Sequence, residues 1–280
     1  MFKFLNFLKK SKDTIQTKEK HSKKEATASK PKRNNEQISK RKGEIGEYKI
    51  NIQLDQLPKD CRFLSDLLVE NPKAKSRYSQ VDHVVITPYG MIVIETKNYQ
   101  GTIYGGKGRK TWLVNGKFKM MNPFLQNYGH IQALKTTIDI KYHEHFVSMV
   151  SFTKRCTFKV DLEYRKIASD ELIVYDMELS EFIHRKISVL KLEHKEPLLS
   201  ELDIGTIYDA FCNSNITDPK LRQHHEQSLK DQKTEKDSGK QSQCVTCKKV
   251  VSEKVKSFCL NNKKFEGKVY CYEHQKISKA

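Results

Sequence analysis

Residues 79–101 read SQVDHVVITPYGMIVIETKNYQG. Two runs rich in Val and Ile, 79–87 and 91–97, flank Pro88-Tyr89-Gly90, and this pattern predicts a β-hairpin. Asp82 opens one strand and Glu95-Thr96-Lys97 closes the other. Strand side chains alternate faces, so Glu95 and Lys97 share one. A loop of two or four residues sets Asp82 opposite Lys97 or Glu95 respectively. Either register gathers all three side chains on one face, at the end away from the turn. A three-residue loop without a bulge would put Asp82 on the other face.

Two carboxylates and an ammonium at one strand end have a chemical use. The carboxylates can hold Mg²⁺ (or Mn²⁺) through oxygen ligands, with water and a substrate phosphate completing the octahedron. Such a cation polarises a phosphodiester and lowers the pKa of a bound water. Lys97 can orient or deprotonate that water and neutralise charge building on the phosphorus. The competing reading is an exposed, salt-bridged strand end. The apolar run 91–94 leading straight into Glu-x-Lys favours the functional one.

Outward from the hairpin, residues 44–54 carry an apolar stripe that predicts a helix ending before Pro58, and 63–69 predicts a strand. Downstream, 102–104 and 111–114 read as short strands, with Asn115-Gly116 as a tight turn. Helices are expected over 123–140, 180–187 and 200–213, and strands over 146–152 and 172–175. Order is expected to begin near Gly43.

The chain has 280 residues, of which 37% are hydrophobic and 31% charged, so part of it is expected to lack a fold of its own. Lys+Arg of 52 against Asp+Glu of 34 gives a net +18, which disfavours cationic substrates and points to polyanions. Residues 1–42 carry +10, 43–217 carry +1 and 218–280 carry +7, so the basicity belongs to the flanks of a nearly neutral domain. Within that domain no acid occurs between Glu95 and Asp139, while Lys107, Arg109, Lys110, Lys117 and Lys119 do, interleaved with Tyr99, Tyr104, Trp112 and Phe118. That stretch reads either as a solvated hairpin with core aromatics or as a groove wall following a phosphate backbone. No apolar run approaches the roughly 18 residues that span a bilayer. Residues 1–8, MFKFLNFL, followed by Lys9, Lys10 and Lys12, lack the apolar length and cleavage site of a signal peptide. Residues 1–12 could instead make a weak contact with an anionic membrane.

Four pieces of this sequence together resemble the nuclease-related domain, NERD, of the PD-(D/E)XK nuclease superfamily. They are Gly43-Glu44-Ile45-Gly46-Glu47, Gln80-Val81-Asp82-His83, Ile94-Glu95-Thr96-Lys97-Asn98 with Gly101 after it, and Asn122-Pro123-x-x-Gln126. They cover residues 43 to about 135, and the rest of the domain matches loosely. The resemblance implies an α/β, restriction-endonuclease-like fold with a mixed central sheet flanked by helices. It implies Asp82 and Glu95 as metal ligands, Lys97 as the catalytic lysine, and Glu47 as a further ligand or water positioner. Gln126 is similar to the glutamine that follows the catalytic strands in recombination-type members. Gln80, two residues before Asp82, is a candidate substrate contact, and Lys107, Arg109 and Lys110 are further ones. His83 alternates to the other face and reads as packing or a local hydrogen bond.

The seven Cys are few, odd in number and clustered late, which disfavours a secreted disulfide framework. Cys244-x2-Cys247 and Cys271-x2-His274, with 23 residues between the pairs, suit a tetrahedral Zn²⁺ site resembling a small zinc ribbon. Cys259 between them reads as a buried thiol, with a place among the ligands as the alternative. The expected organisation is a basic segment and linker over 1–42, a nuclease-like domain over 43–215, a polar linker over 216–242 and a zinc module over 243–277. The expected function is a cytoplasmic, metal-dependent nuclease acting on nucleic acid, with DNA expected through the superfamily analogy. A homodimer is in keeping with that superfamily. The alternative is a protein that binds nucleic acid or a partner on a nuclease-like fold without cutting.

Overall fold

The computed structural model describes residues 33–237 and 242–277. The segment expected to contact membrane, and most of the first linker, lie outside these residues. In chain order the elements are α1 (Arg33–Leu54), β1 (Arg62–Glu70), β2 (Tyr78–Thr87), β3 (Gly90–Lys97), β4 (Gly101–Tyr104), β5 (Thr111–Val114), β6 (Phe118–Met121), α2 (Pro123–Lys135), β7 (Phe146–Phe152), β8 (Cys156–Lys159), β9 (Glu171–Tyr175), α3 (Leu179–His194), α4 (Glu201–Ser214), α5 (Pro219–Asp237), α6 (Glu253–Asn261) and α7 (Tyr272–Ile277).

The central sheet has the order β1-β2-β3-β7-β9. β1, β2 and β3 form an antiparallel meander, while β7 and β9 join parallel, so the sheet is mixed as expected. β3 and β7 are buried along nearly their whole length; 91–94 accordingly reads as an unbroken apolar run, while β7 carries the buried Ser148 and Ser151 among its apolar residues. Alternate strand residues feed two cores. Val84, Ile86, Met91 and Val93 pack with Ile131 and Leu134 of α2 and Ile204, Ile207 and Phe211 of α4. Val85, Ile92, Ile94 and Met149 pack with Ile50 and Leu54 of α1 and Leu179, Phe182 and Ile183 of α3. Helices therefore cover both faces. A second sheet, β6-β5-β4-β8, closes a third core around Trp112, Phe124, Phe152 and Tyr164.

The hairpin ladder runs to Thr87 opposite Gly90. Gly90 has φ 133°, and a Cβ there would lie 2.8 Å from the His145 carbonyl oxygen, so only glycine fits. Carried outward from His83 opposite Ile94, the register sets Asp82 against Glu95. The two-residue loop thus comes with the Asp82–Glu95 register, not the Asp82–Lys97 one expected for it, because the turn is Pro88-Tyr89.

Several boundaries differ from expectation. α1 starts at Arg33, ten residues before Gly43. α2 ends at Lys135 and a separate 3-10 turn spans Ile140–Tyr142, where a helix to residue 140 was expected. β6 and β8 are additional short strands. The stretch 216–242 is not a plain linker, since α5 occupies most of it. Arg222 of α5 bonds Asp66 Oδ2 at 2.7 Å and the Ile216 carbonyl at 2.8 Å, and His225 Nδ1 lies 3.0 Å from Ser76 Oγ. Ile216 N–H donates to the Leu68 carbonyl at 2.8 Å, so this segment also covers the exposed edge of β1. Among the described residues no helix is long and apolar enough to cross a membrane.

Candidate active site and metal centre

Glu47, Ile50, Asn51 and Leu54 lie at i, i+3, i+4 and i+7 on α1, one face of the helix. Ile50 and Leu54 are fully buried, which fixes that face inward. Ile45, Tyr48 and Ile52, the rest of the expected stripe, are exposed. Asn51 Oδ1 accepts from Ser65 Oγ at 2.7 Å and lies 3.1 Å from Nε2 of the buried His83. These contacts hold the turn carrying Glu47 against β1 and β2, and they make His83 a packing residue. Burial pushes its imidazole down to about 4.

Asp82 and Glu95 face each other across the hairpin, and Thr96 N–H donates to Asp82 Oδ2 at 2.7 Å. Glu95 is only 2% exposed. Its Oε1 accepts from Lys97 Nζ and, at 2.7 Å, from Gln126 Nε2, while Lys97 Nζ also donates to Gln126 Oε1 at 2.9 Å. His130, one turn after Gln126 on α2, brings Nε2 to 3.1 Å from Glu95 Oε2. α2 is set in place by Asn122, whose side chain accepts from Phe124 N–H at 3.0 Å and donates to the Arg109 carbonyl at 2.9 Å.

The acids sit in unlike fields. Burial, with the Glu95 charge beside it, pushes the Asp82 carboxyl well above the usual range. Burial alone would raise Glu95 as well, but the Lys97 ammonium and the His130 ring outweigh it and hold that carboxyl at about 2. The Lys97 ammonium is in turn held above its ordinary value, the Glu95 carboxylate overcoming the opposing effect of burial. Burial raises Glu47, and the neighbouring acids Asp66, Glu44 and Glu95 raise it further.

A raised carboxyl opposes folding once ionised, so its cost is absent below the unfolded pKa and grows as pH rises toward the folded one. Asp82→Asn is therefore expected to raise the melting temperature in chelator by roughly a few degrees at pH 8 and by less at pH 4. A melt unchanged or lowered at pH 8 would contradict this account of Asp82.

The structure brings Asp82, Glu95, Lys97 and Gln126 together. Glu47 stands within electrostatic range of Asp82 and Glu95, but the three do not converge into one ligand cluster. Gln80 is engaged elsewhere, donating to Asp66 Oδ1 at 2.8 Å. Asp66 interrupts β1 at φ 54°, opposite Asp82 in the β1–β2 register, and was not visible as part of this region from sequence. Lys107, Arg109 and Lys110 are exposed between β4 and β5, tied to the start of α2 through Asn122. Trp112 is fully buried against Phe124 and Tyr164, so it belongs to the core and not to a groove wall. His130 was also missed; its sequence signal is the i, i+4 spacing from Gln126.

The donor set around Asp82 and Glu95 is carboxylate oxygen, with Oε2 of Glu95 buried and making no hydrogen bond. Hard oxygen ligands and clustered negative charge fit a divalent cation of the Mg²⁺ or Mn²⁺ type.

The second cluster is Cys244, Cys247, Cys271 and His274, whose ligand atoms all lie within 4.8 Å of one another. A tetrahedron with metal–sulfur bonds of about 2.3 Å has edges of about 3.8 Å. Cys247 Sγ and Cys271 Sγ are 3.8 Å apart, and His274 Nδ1 is 3.6 Å from Cys244 and 3.2 Å from Cys271. Against burial, which raises it, backbone N–H groups of Cys271, Cys247 and Thr246 hold the Cys244 thiol at about 6. Cys259 stands outside the cluster, fully buried, with Tyr270 N–H and Gln275 Nε2 donating to its sulfur at 3.4 and 3.3 Å. The four ligands can form a small zinc site.

An uncharacterized protein of Bacillus anthracis is 29% identical over 192 residues, covering 67% of this chain and 84% of that protein. No solved structure matches. The model of the NERD family, described as nuclease-related domain, matches residues 42–153, a span that holds Glu47, Asp82, Glu95, Lys97, Gln126 and His130. This part of the chain is similar to the nuclease-related domain family.

Proposed function

We propose that this domain is a divalent-metal-dependent nuclease that hydrolyses phosphodiester bonds in nucleic acid, DNA being the expected substrate. The observation that carries the reading is the joining of Lys97, Glu95 and Gln126 beside Asp82 at one end of the hairpin. Asp82 and Glu95 would hold the cation, and Glu47 would stand behind them. When bound, Mg²⁺ or Mn²⁺ supplies charge neutralisation at the phosphate and acidifies a coordinated water. Lys97, held by Gln126, would orient the attacking water and offset charge on the phosphate oxygens. We assign Cys244, Cys247, Cys271 and His274 to a structural Zn²⁺.

Lys107, Arg109 and Lys110 would follow the phosphate backbone. Changing all three to Gln is expected to weaken nucleic-acid binding and to reduce the slope of log K against log salt by about 2–3, at roughly 0.9 for each phosphate no longer neutralised. Fluorescence anisotropy across a salt series checks this, and an unchanged slope would remove the three from the binding surface.

The primary test is cleavage of plasmid and single-stranded DNA by the full chain, with Mg²⁺ or Mn²⁺ against chelator and with Asp82→Ala alongside. Metal-dependent cutting that disappears in the variant is the expected result. DNA binding without cutting in every metal would favour a non-cleaving nucleic-acid binder on the same fold.

A further inference from the structure

The two oxygens of Glu95 keep different company. Oε1 is taken by Lys97 Nζ and by Gln126 Nε2. Oε2 is buried and without a hydrogen bond, and the nearby polar contact is His130 Nε2 at 3.1 Å. His130 is itself 8% exposed, and its Nδ1 is buried with no hydrogen-bond partner. Burying an imidazole with an unpaired nitrogen costs free energy, so a ring kept here at that cost is a candidate for a task. Its helix neighbours Ile131 and Leu134 point into the core, so the backbone of α2 is held independently of the ring. The tautomer that suits the contact carries its hydrogen on Nε2, since a bare ring nitrogen at 3.1 Å would set its lone pair against those of the carboxylate oxygen.

We propose that His130 is a positioning residue of this site: with Gln126 it forms an i, i+4 clamp from α2 that grips both oxygens of Glu95 and fixes the plane in which the carboxylate meets a divalent cation. The inference rests on the reading of Glu95 as a cation ligand. A ligand free to rotate about its last torsion must be ordered when the cation binds. A carboxylate bonded at Oε1 by Lys97 and Gln126 and faced at Oε2 by the imidazole has given up much of that freedom in folding. Partners that orient metal ligands in this way are typically worth 10–100-fold in metal affinity. Gln126 and His130 divide the work: the amide serves Oε1 together with Lys97, and the imidazole serves Oε2.

The test uses the full chain, with Mn²⁺ as probe. Binding is followed by water-proton relaxation, and the site is defined as the binding abolished in Glu95→Gln. His130→Ala is expected to weaken that binding by about 10–100-fold and to lower cleavage at limiting Mn²⁺ more than at saturating Mn²⁺. His130→Gln, which keeps an N–H donor at similar reach, should recover most of the affinity. His130→Leu, closer in volume to the imidazole, replaces the alanine variant if that one fails to fold. Folded His130→Ala or His130→Leu protein that binds Mn²⁺ as tightly as the parent overturns the proposal. So does a glutamine variant as weak as either. A parent chain that binds Mn²⁺ through Glu95 but cuts nothing sinks the nuclease reading and leaves this one to be decided by the variants. A parent with no Glu95-dependent binding overturns the clamp as a cation-positioning device.

Discussion

Lys97→Met is expected to lower metal-dependent cleavage by about 10²–10⁴-fold, with nucleic-acid affinity changed by less than about threefold. Methionine keeps most of the stem volume and removes the ammonium. That ammonium bonds both Glu95 Oε1 and Gln126 Oε1, so its loss is felt at the chemistry and in the fold. Breaking a buried ion pair by removing one partner costs about 3–5 kcal/mol. Here Gln126 and His130 still hold the carboxylate, and 16% of the Lys97 side chain is exposed, so the lower end of that range applies.

The pH dependence separates the two effects. Glu95 is held at about 2 in the folded protein, below its unfolded value. Its stabilising contribution is therefore present above the unfolded pKa and is lost as pH falls from about 4.5 to 2. In Lys97→Met burial would dominate and the carboxyl would rise. The stability gap between parent and variant should then be full at pH 7 and shrink on acidification below the unfolded pKa. Adding Glu95→Gln to Lys97→Met should restore much of the stability, because no buried charge remains unpaired, while cleavage stays absent. Denaturant melts at pH 7 and 4, run beside a plasmid assay, read both. Cleavage by Lys97→Met within about threefold of the parent would remove Lys97 from the catalytic machinery.

Removing the metal from the C-terminal cluster is expected to unfold residues 243–277 outright. The buried apolar content of this segment is small, chiefly Phe265 and Cys259, with Phe258 and Tyr270 rings beside Phe265. A segment this short cannot bury enough surface to fold alone. Structural zinc in comparable peptides contributes about 10–16 kcal/mol of apparent binding energy near pH 7, and that energy is folding energy. Zinc-loaded full chain should therefore show protected amides across α6 and α7, and chelation or Cys247→Ser should abolish that protection. Affinity should fall as pH falls, since thiols and imidazole must shed protons to bind. Cys259→Ser should keep one metal per chain, because its sulfur is engaged by Tyr270 and Gln275 instead. The measurements are metal content per chain and hydrogen exchange resolved by residue. Amide protection over residues 253–277 that survives full chelation would refute the structural assignment.

Local geometry made much of this molecule legible before any coordinates. A hairpin obeys a period of two, so residues 79–97 bring Asp82, Glu95 and Lys97 to one face for a loop of two or four residues, and only a three-residue loop without a bulge would separate them. The apolar run at 91–94 marks a strand covered on both faces, where the alternation is lost. Ligand spacing at Cys244, Cys247, Cys271 and His274 is equally local within each pair, and a shared metal would join the pairs. What hydropathy could not show were the polar contacts made across long stretches of chain. α5 is largely polar, yet Arg222 and His225 dock it on Asp66 and Ser76, about 150 positions away in sequence. Gln80 is drawn to Asp66 rather than to the site, and Trp112 is drawn into the core rather than to a groove. His130 gains its role only where α2 crosses the end of β3. A side chain's periodicity is set by its own backbone, but the partner of a buried polar group is set by which distant element packs beside it, and that is decided only when the whole chain has folded.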